Sequence, residues 1–118
     1  MVFFDKHYLG KPKDGNEAKK MLQLLSGKTH RVLTGVVLID TEMNKKVEAV
    51  ETTFVTMGII SDDDIEWYIN SGEPFGKAGA YAIQGLAARF IEKVEGCYYN
   101  VIGLPVYRVL SLLKEIQQ

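Results

Sequence analysis

Two long runs set the terms for this fold. "HRVLTGVVLID" (30–40) and "VEAVETTFVTMGII" (47–60) are separated only by the polar stretch "TEMNKK". Side chains branched at Cβ are stiff at χ1 and pack well on a pleated surface, so both runs predict strands. The short polar turn predicts that they pair antiparallel. The first run is apolar at both alternating sets of positions, which predicts a strand covered on both faces.

The flanking segments predict what surrounds this pair. Residues 1–9 begin with an apolar run and predict one short strand. Gly10 and Pro12 break regular structure, and then Asp14 or Asn16 can cap a helix. Its apolar positions Ala18, Met21, Leu22 and Leu25 follow the i, i+3, i+4, i+7 rule, and Gly27 is a natural stop. Ser61 with Asp64 starts a second helix that carries Ile65, Tyr68 and Ile69 inward and stops at Gly72. "ARFIEKVEG" and "YYNVIGL" predict two more strands joined by a turn near Gly96. Pro105 suits the first turn of a final helix with Val106, Val109, Leu110 and Leu113 as its buried stripe. The expected product is a mixed α/β domain over 1–118, with no repeats and no internal linker. A chain of 118 residues is long enough for one core.

Charge and cysteine content remove several classes of function. Fourteen basic and fifteen acidic side chains give a net charge of −1, so the balance points to neither nucleic acid nor an anionic membrane as the main partner. A small anion held by a few local cations stays open. Cys97 is alone, which excludes a disulfide framework and a CxxC metal pattern and fits a reducing cytoplasm. "MVFFDKHYLG" lacks the basic start and long apolar stretch of a signal peptide. No apolar run approaches the roughly 20 residues of a membrane span.

Two stretches can carry chemistry. Lys11 in "LGKP" sits where a strand ends and a Gly/Pro turn begins; it is either a solvated turn lysine or a phosphate or carboxylate contact. "GEPFGKAGAYAIQG" (72–85) holds four of the eleven glycines. The small residues 78–80 allow a ligand close to the backbone, Lys77 adds a positive charge, and Gln84 offers both a donor and an acceptor, as the edge of a nucleobase requires. It is not a P-loop, since GxxxxGK[ST] and a following helix are missing. Residue chemistry alone leaves it balanced between a Gly-rich connection and a binding loop. Asp62, Asp63 and Asp64 are more simply partners of a helix N-terminus than metal ligands. His7 and His30 lack ligand spacing, and Cys97 reads as a packed thiol.

The order of the motifs adds to this. "LGKPKD", "MLQLLSGKTHRVLTGVVLI", "SDDDIEWYINSGEP", "KAGAYAIQG" and "YYNVIGLPV" together resemble the Maf family of nucleoside triphosphate pyrophosphatases, from about Tyr8 to Leu113. The resemblance implies a twisted α/β sheet flanked by helices, like that of inosine triphosphatases, with a cleft between two lobes. It implies hydrolysis of a nucleoside triphosphate to the monophosphate and pyrophosphate, with a divalent metal, magnesium or manganese. "KAGAYAIQG" is similar to the branch acting on dTTP and UTP or their modified forms. Carried onto this sequence, the family's base-selecting glutamine falls on Gln84, its phosphate-region lysine on Lys11 and its loop lysine on Lys77.

This chain also departs from the pattern. Aligning "LGKP" places the family's A-D-T motif, whose Asp is the expected general base, immediately ahead of Met1. The expectation is therefore an N-terminally incomplete domain with no catalytic residue assigned; Asp5 lies in a variable turn and does not replace it. Gly76 stands where the family usually has an aspartate. The missing opening strand of the sheet would leave an edge that pairs with a second copy, so a homodimer or other self-association is expected. The alternative is a catalytically inactive remnant that binds nucleotide or serves protein interaction in cell-division control.

Overall fold

The computed structural model describes Met1–Gln118. In chain order the elements are β1 (Val2–Phe4), β2 (His7–Leu9), α1 (Gly15–Leu25), β3 (Thr29–Asp40), β4 (Lys45–Met57), α2 (Asp62–Asn70), β5 (Ile91–Glu95), α3 (Tyr98–Ile102) and α4 (Val106–Ile116). Two 3₁₀ turns, Ala78–Ala80 and Leu86–Phe90, lie between α2 and β5. The α/β expectation holds. The sheet order is β2-β1-β3-β4-β5, and every pairing is antiparallel.

The two long runs form the spine. β3 pairs with β4 along its whole length, from Thr29 opposite Thr56 to Asp40 opposite Lys45. Asp40 closes the hairpin by accepting the amides of Glu42 and Met43 at 3.1 Å each, as Asp does in turns of this kind.

Side chains alternate across the two faces. His30 and Val32, opposite Val55 and Thr53, are buried on one face. On the other face Val37 and Ile39 lie opposite Glu48 and Lys46, and Ile39 is 66% exposed. The expectation that β3 is covered on both sides thus fails in its outer half, where charged cross-strand neighbours keep that face in water.

The start of the chain also differs from expectation. Residues 1–9 are not one strand but a hairpin, because Asp5 takes a left-handed φ of 53° and turns β1 back into β2. β1 then pairs with β3 through Val2 and Phe3.

The core forms between the sheet and two helices. Asp14 caps α1 by accepting from the Glu17 amide at 2.9 Å, and Ala18, Met21, Leu22 and Leu25 are buried as expected. Ser61 caps α2, which buries Ile65 and Tyr68 and leaves Ile69 partly covered. These side chains share one apolar cluster with Val2, Val32, Val55 and Met57. The Ser26 hydroxyl accepts the Ile60 amide at 2.7 Å, locking the end of α1 to the exit of β4.

Two further expectations are corrected at the C-terminal end. "YYNVIGL" is not a strand: its first five residues form α3, because a helical turn lets the buried Asn100 reach the sheet. α4 packs against β3 and β4 with Leu112 and Ile116 buried, not Val106, Leu110 and Leu113. Val109 is half-buried and belongs to both stripes. Arg108 pairs with Glu51 at 3.1 Å and Lys45 donates to the Gln118 carbonyl at 2.7 Å, fixing the rotation of the helix.

This phase of α4 is measurable. Leu112 is 4% exposed and Leu113 38%. Leu112→Ala should lower unfolding free energy by about 2–4 kcal/mol, and Leu113→Ala by less than about 1 kcal/mol. Urea denaturation of both variants checks this, and the reverse ranking would restore the stripe expected from sequence.

Candidate functional site

A cavity lies where the short β1 gives out along β3. It measures about 470 Å³. One wall is the Val32–Gly35 segment of β3 with Met1 and Val2; the second is the loop from Lys77 to Gln84; the third is α3 from Asn100 to Gly103. Ten of its sixteen lining residues are hydrophobic, Lys77 is the one charged side chain, and no carboxylate is present.

Local backbone chemistry shapes the loop wall. Gly79 and Ala80 both adopt left-handed φ, 74° and 66°. Only glycine reaches this region freely, and an alanine there costs of order 1 kcal/mol or more. Gly79 also meets steric limits, since a Cβ at that position would lie 3.0 Å from Val2 Cγ1. The Gly79 amide donates to the Gly10 carbonyl at 3.0 Å, tying the loop to the turn that follows β2. The sequence reading asked small residues here for ligand approach; the packing against Val2 is an equal reason for them.

Two buried polar side chains hold the walls to the hairpin. His30 on β3 and Tyr81 in the loop share a hydrogen bond between Nε2 and the hydroxyl at 2.7 Å, with their rings edge to face. Burial pushes the His30 imidazole down to about 4 and pushes the Tyr81 hydroxyl up, so both are neutral near pH 7. Asn100 donates through Nδ2 to the Val32 carbonyl at 3.0 Å, the Glu51 carbonyl at 3.2 Å and Thr53 Oγ1 at 2.9 Å. The two carbonyls can only accept, so the amide cannot be turned over. Its Oδ1 is buried without a partner.

The residues singled out from sequence do not all converge. Lys77 and Gln84 line the same cavity. Lys11 does not line it, although its neighbour Gly10 bonds the loop; its side chain is exposed. Asp62, Asp63 and Asp64 form the exposed first turn of α2, away from the cavity, as the capping reading had them. Cys97 is partly buried beside Thr53, whose hydroxyl donates to the Cys97 carbonyl at 2.8 Å. Sequence reasoning missed Tyr81 and Asn100. A single amide inside the otherwise apolar "YYNVIGL" was the available signal for Asn100.

The donor set does not fit a divalent metal held by these residues. No three His, Cys, Asp or Glu side chains converge anywhere in the chain. The side chains lining the cavity offer one ammonium group, two amides, one tyrosine and one threonine hydroxyl, a set suited to an anion with a flat polar edge rather than to a cation.

Comparisons with known proteins identify relatives of the chain. The model of a family described as Maf-like protein matches residues 1–116. The chain is 46% identical over 114 residues to a dTTP/UTP pyrophosphatase of Methanosarcina barkeri, covering 97% of this chain and 58% of that protein. It is 47% identical over 117 residues to one from Clostridium beijerinckii, covering 99% and 62%. A third, from Bacillus cytotoxicus, is 50% identical over 115 residues, covering 98% and 59%. The chain thus spans about three fifths of the length of these relatives.

The neutral buried His30 predicts a pH dependence. Its folded pKa lies below the unfolded value of 6.5, so the unfolded chain binds the extra proton between the two. Stability contributed by His30 is full above about pH 6.5 and is lost as pH falls toward about 4, by about 3 kcal/mol in all. Thermal unfolding from pH 7 to pH 4 should show this loss, and His30→Gln should flatten it. An equally steep pH profile in the variant would assign the effect elsewhere.

Proposed function

The chain belongs to the Maf-like family, and on that premise we propose that it carries the nucleotide-binding face of a nucleoside triphosphate pyrophosphatase acting on dTTP and UTP. The observation that carries this reading is the convergence of Lys77 and Gln84 on one largely apolar cavity. A pyrimidine ring is a flat apolar body with a donor and acceptors on its edge. Gln84 has the complementary pair. Lys77 supplies charge for the phosphates: one ammonium about 4 Å from a phosphate oxygen contributes a Coulomb term of roughly 4 kcal/mol at an effective dielectric near 20, before desolvation. Lys11 lies one residue from the Gly10–Gly79 bond, and its exposed ammonium group is the second proposed phosphate contact.

In the proposed reaction water attacks the anhydride between the α and β phosphates, and the monophosphate and pyrophosphate leave. The attacking water needs a general base. No carboxylate lines the cavity, and the only imidazole near it, His30, is buried and already bonded to Tyr81. The base therefore lies outside this cavity lining. That same observation favours a second reading, in which the 118-residue chain binds nucleotide without turning it over.

Assembly follows from the edge of β3. From Thr34 to Asp40 this strand has β4 on one side and no strand on the other. Unpaired edges recruit further strands, and a second copy of the chain is the proposed partner.

Binding and turnover are separately measurable. By equilibrium dialysis, Gln84→Ala should weaken dTTP and UTP by about tenfold, while Lys77→Ala and Lys11→Ala should weaken triphosphates of every base. Pyrophosphate release by the 118-residue chain should stay far below an enzymatic rate. Absence of nucleotide binding would defeat the proposal, and robust turnover would place a base among these residues. Sizing across a concentration series should show self-association; a monomer at all concentrations would count against edge pairing.

A further inference from the structure

Gln84 is exposed, yet the backbone on both sides of it is gripped from beneath. On the N-terminal side the Ala82 amide donates to the hydroxyl of Tyr68, a wholly buried side chain of α2, at 3.1 Å. On the C-terminal side the Leu86 amide donates to Glu73 Oε1 at 2.9 Å and the Ala87 amide to Glu73 Oε2 at 3.2 Å. Tyr68 also lies close enough to the Glu73 carboxylate to favour its ionised form, so the two grips are neighbours. Gly85 completes the arrangement, because a Cβ at that position would occupy the space of Glu73 Oε1.

A surface connection between two elements has no need of this. Loops ordinarily run over the surface with their backbone groups met by water. Here a carboxylate, which can only accept and has two oxygens, is matched to two neighbouring amides, and its bonds are of the stronger charge-assisted kind. The residues fixed are those two before and two and three after Gln84. A side-chain amide recognises a base edge only if its direction of approach is set in advance, since each hydrogen bond weakens steeply with misalignment.

We infer that Glu73, acting with Tyr68, is a positioning residue that fixes the direction of Gln84 and thereby the base selectivity of the cavity. The inference rests on the reading of Gln84 as the residue that meets the base. It assigns to Glu73 no contact with the nucleotide.

The test is a ratio of affinities, which general loosening of the fold does not move. Equilibrium dialysis with UTP and ATP gives the preference of the parent chain, of Gln84→Ala, of Glu73→Gln and of the double variant. Glu73→Gln keeps the shape but replaces one acceptor by a donor facing an amide. It should reduce the UTP preference about tenfold, and the double variant should lose no more than Gln84→Ala alone. Gly85→Ala, which evicts the carboxylate while leaving Glu73 in the chain, should give the same loss. Tyr68→Phe serves if Glu73→Gln fails to fold, and it too should lower the ratio. A folded Glu73→Gln or Tyr68→Phe variant with the parent's preference, alongside a Gln84→Ala that loses it, would overturn the inference alone. Equal preference in the parent and Gln84→Ala would overturn the reading of the site, and this inference with it.

Discussion

The pairing of β3 with β4 is the constraint on which the other parts depend. Its register decides which side chains share a face, and one face then anchors two of the cavity's walls. His30 and Val32 sit opposite Val55 and Thr53 on that face. From there His30 bonds Tyr81 of the loop, while the Val32 carbonyl and Thr53 hydroxyl receive Asn100 of α3. A slip of one residue would send His30 and Thr53 to the opposite face and disconnect both walls together. Stability of the hairpin and geometry of the cavity are therefore one property.

The polar groups at these junctions are few and buried, which makes them decisive. A neutral imidazole against a protonated tyrosine avoids the cost of a buried charge. Asn100 brings a side-chain donor to two carbonyls of the hairpin, which no apolar residue could supply. Charge is kept for the mouth of the cavity, where Lys77 is exposed. Glu73 shows the opposing effects most clearly. Burial pushes its carboxyl up, but the nearby Tyr68 hydroxyl, the hydrogen bonds from the Leu86 and Ala87 amides and the Lys77 charge outweigh that and hold it below the usual range.

Much of this was legible in the sequence, for identifiable reasons. α1 and α2 announce themselves through Asp14 and Ser61 as caps and through apolar positions at helical spacing, and packing agrees with them. The hairpin is legible because β-branched runs flank a short polar turn. α3 was not, because five residues carry too little periodicity and Asn100's bonds to the sheet decide their conformation. α4 offers two overlapping stripes, Val106–Val109–Leu110–Leu113 and Val109–Leu112–Ile116; pattern cannot choose between them, and the sheet does. Within the loop, Lys77 and Gln84 stood out as polar groups among small residues. What holds them had no local signature, since Tyr68 and Glu73 act through backbone amides 13 and 14 residues further along.

We place nucleotide in the cavity between the Lys77–Gln84 loop, β3 and α3. Backbone amide chemical shifts of the ¹⁵N-labelled chain, followed while dTTP is added, test this placement most directly. Saturable shifts are expected at Lys77 to Gln84 and at Val101 to Gly103, with the outer hairpin around Met43 unmoved. Shifts confined to other surfaces, or none at millimolar dTTP, would contradict the placement.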